Sequence, residues 1–287
     1  MTEAPRVFEA LQRASSFLQE NGLEKKAADT LMQEVLQLEG SDPRYHLHKQ
    51  ERLTVKQYRQ YQEMVERHGR GEPVQYITGV SSFYGRRFKV NETVLVPRQE
   101  TEELVEIVLE KAGKLYTQPT IADIGTGSGA IALTLALEWP KAEVLAFDIS
   151  DDAMRVAREN ARTLGAPAVK FIHGNMASPL REQARRVDVL VANPPYIATR
   201  DWRGLDAIVR DYEPRQALDG GGDGLFYYRQ LAEDLPYVLA EGGMAFLEIG
   251  DLQGPSVALL FEQQLPAADV DIVQDINRKD RFVVIES

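Results

Sequence analysis

The chain of 287 residues contains no cysteine, which rules out disulfide staples and thiolate metal sites and fits a reducing compartment. It also lacks any apolar run of the roughly 18 residues that a membrane-crossing helix needs. The opening MTEAPRVFEALQRA has no apolar signal core. A cytoplasmic protein with no membrane partner is the expectation. Positive charge is short as well: 33 Lys and Arg face 44 Asp and Glu, for a formal net charge of −11. Without a generally basic surface to neutralise phosphates, nucleic acid is not an expected partner. A local patch built from Arg185, Arg186, Arg200, Arg203, Arg210 and Arg215 stays open. Histidines number four. His46 and His48 are two apart, a poor spacing for one helix face, and no metal site is expected. DGGGDG (219–224) lacks the alternating oxygen ligands and terminal Glu of a calcium loop, and reads as a mobile loop near the site.

What the chain does contain divides into two grammars. Residues 1–75 read as helices only. Phe8, Leu11, Phe17 and Leu18 mark one apolar face, ending at Asn21-Gly22. Ala27, Leu31, Val35 and Leu38 mark a second, ending at Gly40. A third helix begins behind Thr54 as N-cap and stops at Gly69 and Gly71. Its Tyr58, Tyr61 and Met64 could line a partner groove, but core packing is the simpler reading. Residues 76–98 shift towards a period of two and suggest a hairpin connector turning near Asn91-Glu92.

Residues 99–287 alternate strands (120–124, 143–148, 169–173, 187–192, 243–249, 270–275 and 281–286) with helices (129–138, 151–163, 226–240 and 253–264). That alternation predicts an α/β fold, a doubly wound parallel sheet covered on both faces. Only NRKD separates the last two strands, too little for a parallel crossover, so the final strand is expected to be antiparallel.

Two motifs carry chemistry. IADIGTGSGAIALTLA is a strand, a glycine-rich turn and a helix start. The turn Gly125, Thr126, Gly127, Ser128, Gly129 would bring backbone close to a ligand at a helix N-terminus. The next strand ends in Asp148, 19 residues after Gly129, where a carboxylate can accept from ribose hydroxyls. Gly125-x-Gly127-x-x-Ala130 also satisfies the relaxed dinucleotide pattern, but hydride chemistry lacks a candidate proton donor beside it. The second motif, Asn193-Pro194-Pro195-Tyr196, ends a buried strand. Two prolines fix φ and remove N–H donors, so the loop offers carbonyl acceptors in a stiff frame, with an amide and an aromatic face added. Such a frame suits a planar amino group, either an amide or the exocyclic amine of a base.

GTGSG and NPPY, taken with GEPVQYITG, VLVPRQETEELVE and EPRQALDGGGDGLFYYR, resemble the protein-(glutamine-N5) methyltransferase family (PrmC/HemK). The resemblance runs from about residue 73 to the C-terminus, and the helical first part matches that family's organisation. It implies a seven-stranded Rossmann-like S-adenosylmethionine-dependent methyltransferase sheet with a small helical domain, to which docking of the protein substrate is assigned as a hypothesis. The implied reaction moves a methyl group to N5 of the glutamine in the Gly-Gly-Gln motif of class I peptide chain release factors. The expected working form is a monomer. The implied cofactor residues are Asp123 at the methionine ammonium, Gly125 to Gly129 along the methionine and ribose, and Asp148 at the ribose. Asn175 and Met176 stand at the adenine, where the family usually has an acidic and an aromatic residue. Asn193 and the Pro194 carbonyl would hold the acceptor amide, framed by Pro195, with Tyr196 packed on its plane. Gln99 replaces a proline of many relatives. NPPY is shared with enzymes that methylate adenine N6, which leaves a nucleic-acid methyltransferase as the alternative. A non-enzymatic cofactor-binding protein would tolerate loss of Asn193.

Overall fold

The computed structural model describes residues 3–38 and 45–287. Gly40, the expected end of the second helix, lies outside them. The chain forms two compact units, Met1–Gly79 with Asp206–Tyr212, and Val80–Leu205 with Glu213–Ser287.

The smaller unit carries α1 (Val7–Glu20), α2 (Lys26–Val35), α3 (Tyr45–His48), α4 (Val55–Gly69) and α5 (Val74–Thr78). The buried face of α1 is Val7, Ala10, Leu11, Ala14 and Leu18. Phe8 and Phe17 instead sit at its margin, each 39% exposed: Phe8 falls off the spacing of three and four that starts at Val7, and at the last turn Leu18 takes the buried position beside Phe17. Tyr61 is buried and donates its hydroxyl to the Ala28 carbonyl at 3.1 Å, while Tyr58 and Met64 pack at the edge of the same core. The third helix is therefore a core element, with Tyr61 inside and Tyr58 and Met64 half-buried at its edge. Thr54 caps α4 reciprocally with Gln57: its hydroxyl accepts from Gln57 N, and Gln57 Oε1 accepts from Thr54 N. Tyr212 donates its hydroxyl to the Arg70 carbonyl at 3.1 Å, so a segment distant in sequence belongs to this unit.

The larger unit opens with a hairpin, β1 (Val80–Phe83) and β2 (Arg86–Lys89). It turns at Tyr84-Gly85, not near Asn91-Glu92. Tyr84 and Gly85 both have positive φ, 50° and 70°, the two-residue geometry whose twist matches the flanking strands. Asn91 instead makes an Asx turn, its Oδ1 accepting from Thr93 N and Oγ1. Phe83 and Phe88 meet edge to face at 5.8 Å in the core of the larger unit.

Then follow α6 (Gln99–Lys111), β3 (Thr120–Ile124), α7 (Ala130–Glu138), β4 (Glu143–Asp148), α8 (Asp151–Leu164), β5 (Lys170–His173), α9 (Ser178–Glu182) and β6 (Val187–Ala192). After α10 (Ala207–Tyr212), which belongs to the smaller unit, come α11 (Phe226–Val238), β7 (Leu239–Glu248), α12 (Gly254–Gln264), β8 (Asp269–Gln274) and β9 (Asp280–Glu286). β7 begins earlier than its apolar run predicts, because Leu239 already pairs with Val187 across a bulge.

The sheet order is β5-β4-β3-β6-β7-β9-β8, with β9 antiparallel to both neighbours. Alternate strand residues enter opposite cores. Ile121, Val144, Ala146, Val189 and Val191 pack with α6 and α7; Ala122, Leu145, Phe147, Leu190 and Ala192 pack with α9, α11 and α12. Each fully buried Val, Leu or Phe contributes about 1.5–3 kcal/mol, which is why the central strands read as continuous apolar runs. After β3 the chain moves to β4 on one side; later it returns as β6 on the other. This switch of direction opens a crevice at the carboxyl ends of β3 and β6.

Candidate active site

Register delivers the two sequence motifs to that crevice. Ile124 lies opposite Phe147 on one side and Ala192 on the other. The residues that follow, Gly125, Asp148 and Asn193, therefore leave the sheet side by side. They line a cavity of about 410 Å³, together with Thr126, Gly127, Ser128, Asn175, Met176 and Pro195.

Four other expected site residues do not line it. Gly129 is the N-cap of α7. Pro194 is buried within the loop. Tyr196 packs against the apolar core under the sheet, where burial pushes its hydroxyl up to about 12. Asp123 is fully buried beneath the glycine turn. Its Oδ2 accepts from Thr126 Oγ1 at 2.6 Å and from Ala132 N at 3.1 Å, while Oδ1 has no hydrogen-bond partner. Burial pushes this carboxyl up to about 7, against the pull of those two donors.

The turn is shaped by what surrounds it. Gly125 and Thr126 both donate their N–H to the Phe147 carbonyl, and Gly127 N donates to Asp148 Oδ2 at 2.8 Å. Asp148 Oδ1 accepts from Ser150 N at 2.8 Å, and Ser150 in turn caps α8. Burial raises the Asp148 carboxyl despite these bonds. Asp148 both holds the turn and faces the cavity, and a carboxylate has lone pairs to spare for further donors. A methyl group added at Gly125 or Gly127 would meet no atom within 4 Å, so the chain comes closest to a ligand here without a side chain. A bare backbone turn and the Asp148 carboxylate line the cavity, and an unpartnered carboxylate oxygen of Asp123 lies buried beneath that turn. This set suits a ligand that carries an ammonium and a ribose, and Met176 and the half-exposed Ile149 flank the far end for a flat ring.

The Asn-Pro-Pro-Tyr loop is not free. Gln253 Nε2 donates to the Tyr196 carbonyl at 3.0 Å and to the Gly224 carbonyl at 3.2 Å. Ile197 N donates to Leu218 O, Gly220 N to Ile197 O, and Thr199 N to Gly221 O. The 219–224 segment, expected as a mobile loop, is thus laced to the Asn-Pro-Pro-Tyr loop. Its glycines answer to close approach: a Cβ on Gly220 would lie 2.6 Å from the Pro195 carbonyl oxygen, and one on Gly224 2.4 Å from that of Tyr196.

Asn193 Nδ2 donates to Thr101 Oγ1 at 3.1 Å. Thr101 and Arg98, at the start of α6, line the cavity, and Arg98 pairs with the buried Glu213. Sequence reading did not assign these residues. PRQETE could have drawn attention to them, because it places a cation and hydroxyl on the first turn of a helix facing the sheet's carboxyl end. Glu248 was missed as well, although a lone carboxylate closing the apolar run MAFLE is a visible signal. Among the described residues, no helix is long and apolar enough to cross a membrane.

Comparison with known proteins agrees with this architecture. Residues 9–79 match the PrmC N-terminal domain, and residues 100–223 match the methyltransferase small domain. Release factor glutamine methyltransferase of Bacillus anthracis is 46% identical over 283 residues, covering 98% of this chain and 99% of that protein. The Bacillus subtilis enzyme of the same name is 42% identical over 280 residues, covering 96% of each. A methyltransferase structure from Pyrococcus furiosus shares the fold, with a TM-score of 0.51 and 18% identity over 71% of this chain and 90% of that one. With nearly half its residues shared along the full length of such relatives, the chain belongs to the release factor glutamine methyltransferase family.

Proposed function

We propose that this protein transfers a methyl group from S-adenosylmethionine to the side-chain amide nitrogen, N5, of the glutamine in the Gly-Gly-Gln motif of class I peptide chain release factors. The observation that carries this reading is the convergence of Gly125–Ser128, Asp148 and Asn193 on one cavity at the sheet's switch point. When bound, the cofactor supplies a methyl group on a sulfonium, an activated electrophile that needs no metal. The residues that would hold it are the 125–129 turn along the methionine and ribose, Asp123 through its unpartnered Oδ1, Asp148 at the ribose, and Asn175 and Met176 at the base. The Met176 thioether is suited to packing on a ring.

The protein's own work lies with the acceptor. An amide nitrogen is a poor nucleophile because its lone pair is delocalised into the carbonyl. Asn193, which lines the cavity, would accept from one N–H bond of that amide, and the carbonyl of the buried Pro194, if the loop's carbonyl edge faces the ligand as its sequence implies, from the other. This favours pyramidal nitrogen and the positive charge that develops there. Tyr196 and Pro195 give the loop its stiffness, and the Gln253 bonds hold its exit. Fixing the acceptor within the cavity supplies several kcal/mol of prepaid entropy. A methylated amide nitrogen is strongly acidic and sheds its proton to water without a dedicated base.

The helical unit is assigned to docking the whole protein substrate; its Leu47 and Val55 are 74% and 63% exposed. The adenine-N6 alternative asks for basic surface at the site. Arg185 and Arg186 precede β6, at the amino end of the strand whose carboxyl end leads to Asn193, and are bonded to Glu143 and the Leu239 carbonyl. Arg200, Arg210 and Arg215 pair with Asp201, Asp211 and Asp219.

Mass spectrometry after incubation with labelled cofactor tests the reading. One methyl group is expected on the Gly-Gly-Gln glutamine of release factor and none on DNA, with Asn193→Ala losing turnover but keeping affinity for S-adenosylhomocysteine. Methylated adenine with untouched release factor would overturn it.

A further inference from the structure

Thr101 and Glu248 are 5% and 2% exposed, and the reading above gives neither a task. Thr101 Oγ1 donates to Glu248 Oε2 at 2.7 Å and accepts from Asn193 Nδ2 at 3.1 Å. A hydroxyl has one hydrogen, and an ionised carboxylate can only accept. With Glu248 ionised, that hydrogen is committed to Oε2, so the hydroxyl's lone pairs face Asn193. Only the NH₂ end of the Asn193 amide can meet them. The other end of the amide, the Oδ1 carbonyl, is then left to the cavity that Asn193 lines.

We propose that Thr101 and Glu248 are positioning residues, a one-way hydrogen-bond relay that holds the Asn193 amide with its carbonyl turned to the acceptor nitrogen. The inference rests on Asn193 gripping that nitrogen. The polarity matters because a flipped amide would present N–H to an N–H donor and repel it. Both relay members come from rigid elements, the first turn of α6 and the last residue of β7, and Tyr228 fixes the strand end by donating to the Glu248 backbone carbonyl at 2.7 Å.

The relay can reverse. A protonated Glu248 can donate to Thr101, whose hydroxyl is then free to donate to Asn193 Oδ1. Burial pushes the Glu248 carboxyl up to about 7. Asn193 also hydrogen-bonds the Glu248 carboxyl directly, and the other groups facing it are Thr101 and Glu100 from α6, Arg281 from β9, Tyr228 from α11, and Tyr196 from the loop after β6. The Asn193 orientation should therefore be held above neutrality and loosened below it.

The test uses the full chain as wild type, Thr101→Val, Thr101→Ser and Glu248→Gln. In ¹H–¹⁵N spectra of the ligand-free protein, the Asn193 side-chain amide pair is assigned by its loss in Asn193→Ala. That pair should titrate near neutrality in wild type and Thr101→Ser, with a smaller shift in Thr101→Val, and not in Glu248→Gln. With a Gly-Gly-Gln peptide, Thr101→Val should lower kcat about 10- to 100-fold, the usual cost of a misplaced reacting group. Its calorimetric affinity for S-adenosylhomocysteine should be unchanged, which also shows the variant is folded. Thr101→Ser should restore kcat, and Glu248→Gln should flatten the rise of kcat through neutral pH. Thr101→Val indistinguishable from wild type in spectrum and kcat, or Thr101→Ser as impaired as Thr101→Val, would overturn the relay. Full turnover by Asn193→Ala would sink the grip on the acceptor instead, while the amide titration would still report whether the relay orients Asn193.

Discussion

Replacing Gly220 with alanine adds one methyl group, and the structure says where it goes. The new Cβ would lie 2.6 Å from the Pro195 carbonyl oxygen and 2.9 Å from Tyr196 Cα, both backbone atoms of the Asn-Pro-Pro-Tyr loop. Ordinary contact begins at 3.4 Å, so the loop must recede by about 0.8 Å, and the prolines prevent it from bending locally. A displacement near 1 Å at a reacting group costs about 10²-fold in rate. Overpacking of this kind costs about 1–3 kcal/mol of stability, which a domain stable by about 5–15 kcal/mol survives. Gly220→Ala is thus expected to fold, to bind S-adenosylhomocysteine nearly as the parent does, and to lose about 100-fold in kcat on a Gly-Gly-Gln peptide. Gly222→Ala is the matched control: two residues away, its Cβ meets nothing within 4 Å. Steady-state kinetics, calorimetry and a thermal melt decide the matter. Equal kcat for the two variants would refute the argument that loop placement limits the reaction.

Asp123 makes a pH prediction for the ligand-free protein. Its folded carboxyl is raised to about 7 from an ordinary value of 3.8, so the stability it contributes is full below 3.8 and is lost as pH rises through 7. The loss across that pH range is on the order of 4 kcal/mol. Asp123→Asn keeps an acceptor for Thr126 and Ala132 and removes the buried charge; urea denaturation should find it more stable than the parent at pH 8 and equal at low pH, with weaker cofactor affinity. A destabilised variant at pH 8 would contradict this. In the helical unit, Thr54→Ala removes the hydroxyl that accepts from Gln57 N while the Thr54 N–H still donates to Gln57 Oε1, and should cost about 1 kcal/mol in urea denaturation, with Thr54→Ser recovering most of it. Leu47→Asp with Val55→Asp should raise KM for whole release factor while leaving KM for a short Gly-Gly-Gln peptide unchanged; equal effects on both substrates would remove the docking role.

Much of the molecule was legible in the residues. Continuous apolar strands such as VDVLVA and the amphipathic runs between them follow from local hydrophobic periodicity, and NRKD left no room for anything but a hairpin at the end. The glycine turn, Asp148 and Asn193 were also readable, because α/β connections place ligands at the strand ends whatever the remaining sequence. Chain-local signals were less reliable where two choices were close in energy. Asn91-Glu92 looked like a turn, but Tyr84-Gly85 supplied the positive φ pair the strands required. Phe8 and Phe17 were apolar yet fell outside the buried stripe of α1.

What the sequence determined alone is whatever depends on neighbours in the chain: the period of each element, the caps, the turn chemistry and the motif that names the reaction class. Only the tertiary structure brought Thr101, Asn193 and Glu248 together across 147 residues of sequence, buried the Asp123 carboxylate with one oxygen unpartnered, and pinned 219–224 against the proline loop. The reason is physical. Hydrogen-bond polarity, desolvation and backbone clearance depend on which atoms lie within a few ångströms, and that is set by sheet register and packing, not by position along the chain.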